Sequence, residues 1–124
     1  MIEIEVYKID GLCHISARNA LKLRRAIFID LCPDFESQGR YLDVPLFISI
    51  PYPEFEKEYM KLDKDKTYIL LDVVGIHSKK YCSFLKDKGF DNVYNLIGGF
   101  TDWRKKGFPT RTDPNVEFIS PCGC

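Results

Sequence analysis

The chain has 124 residues, of which 45% are hydrophobic and 14% aromatic, and this composition excludes an intrinsically disordered protein. Its 18 Lys and Arg residues balance its 18 Asp and Glu residues, so the net charge favours neither nucleic acid nor an anionic membrane as a partner. Charges interrupt residues 1–11, and no apolar stretch approaches the length of a membrane-spanning helix. We therefore expect one globular domain in the cytoplasm, where cysteines remain thiols unless metal or redox chemistry engages them.

The first half of the chain predicts strands alternating with short helices. Three stretches have the alternation or the unbroken apolar character of strands, Glu3–Ile9, Ala26–Leu31 and Pro45–Pro51. Ser16 is a suitable N-cap for a short helix over residues 17–23. A second, amphipathic helix is expected from Pro53 to Leu62, because proline suits a first helical turn and apolar residues recur on one face.

The second half contains the strongest strand and the longest helix. Thr67–Asp72 is an apolar run that ends on an acid. Residues Ser78–Gly89 have helical periodicity and end on a glycine suited to the C-terminal cap. Asn92–Leu96 predicts a last strand, and a short helix follows before Gly107 and Pro109.

This alternation is typical of a parallel β-sheet covered by helices on both faces. In such sheets, ligands bind beyond the carboxyl ends of the strands. The loops that follow Asp30, Ile50 and Asp72 are therefore expected to meet at one edge of the sheet and to form the functional site.

The most specific stretch of the sequence is GFDNVYNLIGGFTDWRKKGFP, from Gly89 to Pro109. Together with FIDL, VPLFISIP and YILLD, it resembles a single rhodanese domain, the fold of thiosulfate sulfurtransferases, over Ile15 to Pro109. The resemblance implies a rhodanese-like α/β fold, with a central, mostly parallel five-stranded sheet and helices on both faces. The chain then divides into an N-terminal strand or arm (1–14), a rhodanese-like domain (15–109) and a C-terminal tail (110–124) ending in Cys-Gly-Cys.

In the family that this chain resembles, a cysteine opening a six-residue loop carries sulfane sulfur as a persulfide, and backbone amides hold its charge. The resemblance places Asp72 at that cysteine position. In the loop, Val73 stands where the family often has an arginine, and His77 stands where the family often has a basic residue. Cys32 replaces an arginine after the second strand. The implied anion-binding loop and pocket comprise Val73, Val74, Gly75, Ile76, His77 and Ser78, with Asp30 beside them.

A carboxylate lacks the polarisable thiolate that forms a persulfide, so we expect no sulfur transfer by the family mechanism at Asp72. Instead, the carboxylate is expected to accept hydrogen bonds from the amides between Val74 and Ser78. The competing interpretation turns Asp72 outward for catalysis, where Asp30 and His77 would help it to hold a divalent cation.

Two functions follow from these features. The leading hypothesis is an inactive sulfurtransferase homologue that uses no cofactor and acts as a binding or regulatory module for a protein partner or a small anion. The alternative is a sulfurtransferase or thiol-redox enzyme in which Cys32, Cys122 or Cys124 carries sulfur from a donor to an acceptor.

The remaining cysteines and the first histidine have simpler interpretations. We predict no metal site, although Cys122 and Cys124 could form one with Cys13 or Cys32, because two thiols alone do not complete a tetrahedral zinc site. Cys82 is expected to pack inside its helix. His14 is interpreted as a strand-edge side chain.

Overall fold

The computed structural model describes residues 4–33 and 39–112. The strands are β1 (Tyr7–Ile9), β2 (Leu12–Ile15), β3 (Ile27–Asp30), β4 (Arg40–Leu42), β5 (Phe47–Ser49), β6 (Tyr68–Leu71), β7 (Val93–Leu96) and β8 (Thr110–Thr112). The helices are α1 (Ala17–Ala20), α2 (Phe55–Glu58), α3 (Ile76–Asp87) and α4 (Gly99–Lys105).

Five strands form the parallel sheet that the sequence predicts. They lie in the order β2-β7-β6-β3-β5, and each neighbouring pair is parallel. A sixth strand, β1, extends this sheet by pairing antiparallel with β2. The strands β4 and β8 form a separate antiparallel ribbon. The α/β fold is thus confirmed, with one strand more than expected in the main sheet.

A tight turn between β1 and β2 accounts for the sixth strand. Asp10 and Gly11 both have positive φ, 53° and 78°, as a two-residue hairpin turn requires. The Asp-Gly pair is favoured in such turns, so the sequence carries a hairpin signal here. The arm expected at residues 1–14 contributes β1 and most of β2, and its boundary after residue 14 falls inside β2. The division into three segments stays a prediction.

Each face of the sheet packs against its own apolar cluster, so helices cover both faces as expected. On one face, Phe55 of α2 and Leu85 of α3 are fully buried. On the other face, the fully buried ring of Trp103 in α4 meets Phe28 edge to face, with centroids 5.8 Å apart. Its Nε1 donates a hydrogen bond to the carbonyl of Pro109 at 2.7 Å, which ties the chain after α4 to the core.

Two helices differ from their predicted extent. The helix expected from Pro53 to Leu62 has one α-helical turn, α2, between 3-10 turns at Tyr52–Glu54 and Tyr59–Lys61. α3 begins at Ile76, because Gly75 adopts a left-handed conformation (φ 95°) that turns the loop directly into the helix. No helix within the described ranges is long and apolar enough to cross a membrane.

The N-terminus of α4 supports the loop that follows β6. The amide of Phe100 donates to the carbonyl of Asp72 at 2.8 Å, and the amide of Thr101 donates to the carbonyl of Val73 at 3.0 Å. This approach requires a glycine at residue 99, which has φ +60°. A Cβ there would press into the Asp72 carbonyl oxygen and lie 2.8 Å from the Val73 oxygen.

We predict that Gly99→Ala destabilises the fold far more than Gly107→Ala. Both glycines have positive φ, so both substitutions cost about 1–2 kcal/mol of backbone strain. Only Gly99→Ala adds a steric overlap, worth about 1–3 kcal/mol more, because nothing lies within 4 Å of a Cβ at Gly107. Urea denaturation of the two variants measures the difference, and equal unfolding free energies would contradict this account of the loop support.

Candidate functional site

The carboxylate of Asp72 is turned into its own loop. Asp72 follows β6 and is 4% exposed. Its Oδ1 accepts a hydrogen bond from the amide of Gly75, and its Oδ2 accepts one from the amide of His77 at 2.8 Å. The amides at the N-terminus of α3 thus meet a negative charge that the chain itself supplies, and the helix dipole stabilises that charge.

A buried chain of polar groups leads away from this carboxylate. The hydroxyl of Ser78 lies 3.4 Å from Oδ1 of Asp72 and donates a hydrogen bond to Oδ1 of Asn95. The Asn95 Nδ2 lies 3.0 Å from Nδ1 of His14. With the Asn95 amide in this orientation its nitrogen donates, so Nδ1 of His14 is the acceptor and the ring proton is assigned to Nε2. The chain joins α3, β7 and β2.

The interpretation of His14 as a strand-edge side chain is wrong. β1 covers the outer side of β2, so His14 pairs with Tyr7 on one side and with Asn95 on the other. It is 7% exposed. The signal that would have located it is the Asp10-Gly11 turn, which places a further strand outside β2.

The imidazole of His77 closes one side of the loop. Its ring stacks on Tyr52, with centroids 3.9 Å apart and planes 8° from parallel. Its Nδ1 lies 3.4 Å from Oδ2 of Asp72. Tyr52 was not among the predicted site residues, but the loop after Ile50 is one of the three loops expected at this edge, and Tyr52 lies in it.

The neighbouring strand end carries Asp30 and Cys32. β3 and β6 are parallel, with Asp30 opposite Leu71, so the two acids leave adjacent strands at the same edge. Asp30 is buried, and its Oδ1 accepts a hydrogen bond from the amide of Cys32 at 2.9 Å, which fixes the turn after β3. Cys32 itself is 3% exposed.

The outer surface of the loop is apolar. Val74 is 56% exposed and Ile76 is 70% exposed, although both flank the buried Gly75. The loop therefore directs its amides inward onto Asp72 and presents aliphatic side chains to the solvent. Between Asp72 and Ser78 the chain has no thiol, lysine or arginine. This arrangement binds a fixed internal carboxylate but offers no sulfur nucleophile.

The other predicted thiols are dispersed. Cys82 is buried, as expected, and burial is the main cause that raises the pKa of its thiol to about 12. Cys13 is partly exposed in β2. Cys122 and Cys124 lie outside the described residues. Among residues 4–33 and 39–112, no group of three His, Cys, Asp or Glu side chains is placed to hold a metal ion.

Residues 14–106 match the rhodanese-like domain family. Two relatives are named thiosulfate sulfurtransferase GlpE. The protein of Actinobacillus succinogenes is 41% identical over 68 residues, 55% of this chain and 59% of the relative. That of Actinobacillus pleuropneumoniae is 31% identical over 77 residues, 62% of this chain and 56% of the relative. The chain thus spans less than two thirds of the length of these two relatives.

Solved structures share the same fold. A rhodanese-related protein from Thermoplasma volcanium superposes with a TM-score of 0.73 at 22% identity, covering 86% of this chain and 100% of that one. A polysulfide-sulfur transferase homodimer from Wolinella succinogenes also gives a TM-score of 0.73 at 22% identity, covering 84% of this chain and 81% of that one. With a family match across most of its length and the same sheet, the chain belongs to the rhodanese-like domain family.

Proposed function

We propose that this chain is a rhodanese-like domain that does not transfer sulfur at its loop and acts as a binding or regulatory module. One observation carries the proposal, the pair of hydrogen bonds from the amides of Gly75 and His77 to the Asp72 carboxylate. Amides that already hold a permanent internal anion are not free to hold a persulfide or the sulfonate end of a donor.

The chemistry of sulfur transfer supports the same conclusion. A thiolate accepts the outer sulfur of thiosulfate by forming an S–S bond, and sulfite leaves. Cyanide then removes that sulfur as thiocyanate and regenerates the thiolate. A carboxylate has no sulfur atom with which to form the first bond. With Asp72 at the position of the family's cysteine, the loop retains the amides but lacks the group that reacts.

The exposed apolar side chains of the loop favour recognition of a partner. Val74 and Ile76 present aliphatic surface beside the strand ends, where ligands of such sheets bind. Exposed apolar side chains that cluster at one place mark interaction sites more often than isolated ones do. The partner that fits this surface is a protein with an apolar contact residue of its own.

We predict that Asp72→Asn lowers the free energy of unfolding by about 1–3 kcal/mol, because the amide replaces one acceptor oxygen by a donor opposite a backbone N–H group. Asp63→Asn is the matched control. The Asp63 carboxylate also accepts a backbone hydrogen bond, from Asp65 at 2.9 Å, but at an exposed turn. Urea denaturation measures both variants, and an Asp72→Asn protein as stable as the control would contradict a carboxylate held by the loop.

We predict that the wild-type protein produces no thiocyanate from thiosulfate and cyanide above a protein-free blank. Asp72→Cys, which places a thiol before the same amides, is expected to gain the mass of one sulfur atom after incubation with thiosulfate. Asp72→Ser, similar in size but without a sulfur atom, is expected to gain nothing. Thiocyanate formation that persists after Cys32, Cys122 and Cys124 are all replaced by serine would overturn the proposal.

A second function is favoured by the names of the two relatives, both thiosulfate sulfurtransferases. In this alternative, Cys32, Cys122 or Cys124 accepts the sulfur in place of residue 72. Wild-type turnover that disappears in Cys32→Ser, or in a protein with Cys122→Ser and Cys124→Ser, would assign the reaction to those thiols.

The different burial of Cys13, Cys32 and Cys82 predicts how fast each thiol is alkylated. Near pH 8, iodoacetamide should modify Cys13 in the folded protein while Cys32 and Cys82 stay protected. For Cys82 the pKa of about 12 leaves almost no thiolate, and Cys32 is nearly inaccessible. Peptide mapping by mass spectrometry gives the rates, with the urea-unfolded chain as the control in which all three react. Fast modification of Cys32 in the folded protein would favour the second function.

A further inference from the structure

A cleft of about 610 Å³ lies between the β1–β2 hairpin and the first turns of α3. α3 packs over β6 and β7 and also contacts β2 of the hairpin. Strand pairing puts Tyr7 opposite His14 and Ile9 opposite Leu12. Because side chains alternate along a strand, these two pairs share one face of the hairpin, and they line the cleft.

Aliphatic side chains form one part of the cleft wall, and polar or charged side chains, including Tyr7, Lys8 and Asn95, form the rest. Ile9 and Leu12 line it from the hairpin, Val74 from the loop, and Ile97 from the segment after β7. Ile9, Val74 and Ile97 are exposed to solvent, so a bound apolar group would remove their surface from water. A cleft of this size, in which aliphatic surface adjoins several polar groups, has the character of a small-molecule site.

Two lysines line the cleft: Lys8 lies in β1, two residues before the acidic Asp10, and Lys79 lies in α3. Lys86 Nζ donates to the carbonyl of Gly11 at 2.6 Å and so fixes the hairpin turn against α3. Lys79 lines the cleft seven residues earlier, about 10 Å back along the helix axis, near Gly75. It forms no ion pair with any residue in the described part of the chain. Asp10, the acidic residue of the lining, belongs to the opposite, turn end.

A buried hydrogen-bond donor lies toward the same end as Lys79. His14 stands two residues beyond Leu12 and therefore about 7 Å from the turn. Its Nδ1 accepts from Asn95, so the Nε2–H group is the one left for a ligand, and His14 lines the cleft. Among described residues, Asn95 is the only hydrogen-bond partner of the His14 imidazole.

We propose that this cleft binds a small amphipathic anion, with its charged head at Lys79 and His14 and its apolar tail along Ile9 and the other aliphatic walls. An ammonium ion and an N–H donor are complementary to a carboxylate or a similar anionic head and repel a cationic one. The site is separate from the Asp72 carboxylate and goes beyond the proposed function, since it does not depend on whether the loop transfers sulfur.

The cleft shares residues with the loop. Gly75 lines the cleft, and its amide donates a hydrogen bond to Asp72. Asn95 also lines the cleft, and its Oδ1 accepts a hydrogen bond from the Ser78 hydroxyl. A ligand in the cleft therefore touches the groups that hold the loop in place.

Octanoate is the probe, titrated into the 15N-labelled full chain at low salt, with octylammonium as the probe of opposite charge. We expect octanoate at millimolar concentration to shift the amide signals of Gly75, Asn95 and Ile97 and to bind more tightly than octylammonium. Lys79→Met should weaken octanoate binding about fivefold, the effect of losing one exposed ion pair. Lys80→Met is the matched control, because it removes the same charge from the next residue of α3, which does not line the cleft.

Equal binding of the two probes, equal loss of affinity in the two lysine variants, or no amide shifts around the cleft would each overturn the proposal. Ile97→Trp, which fills the cleft, should abolish octanoate binding. Met60→Trp, at an exposed residue outside the cleft, should leave it unchanged, and binding that survives Ile97→Trp would also place the probe elsewhere.

Discussion

The site depends on one interaction: the carboxylate of Asp72 accepts hydrogen bonds from two backbone amides. Gly75 and His77 donate from the start of α3, so the negative charge satisfies groups that would otherwise be unpaired at a helix N-terminus. The backbone of the same residue is held from the opposite side, where the amide of Phe100 donates to the Asp72 carbonyl. Asp72 is therefore fixed through its side chain by α3 and through its main chain by the start of α4, and the loop has little freedom to turn the acid outward.

This constraint extends into the sheet through buried polar groups. Ser78, Asn95 and His14 form hydrogen bonds from α3 across β7 to β2, and each is buried. Buried polar groups of this kind are stable only when their partners are in place. The β1–β2 hairpin, by covering the outer side of β2, buries most of His14. An element at the edge of the sheet thereby contributes to the environment of the loop.

The fold of this protein rests on apolar packing, whereas its candidate site is built from polar groups. The parallel sheet, the helices on both faces and the position of the loop are those of the rhodanese-like domain family, and they rest on apolar packing and backbone hydrogen bonds. Fold alone does not fix chemistry, which depends on the side chains at the site. The side chain that accepts hydrogen bonds from the loop amides is the carboxylate of Asp72.

The sequence by itself determined the alternation of strands and helices, the parallel sheet and the position of Asp72 at a strand end, because apolar periodicity and the Gly89–Pro109 stretch are local signals. It also indicated that the loops after Asp30, Ile50 and Asp72 meet. Only the tertiary structure decided which amides hold the carboxylate, that Tyr52 stacks on His77, and that His14 is buried beside Asn95. These contacts join residues up to 81 positions apart, and they depend on strand order and side-chain rotamers, which no local pattern encodes.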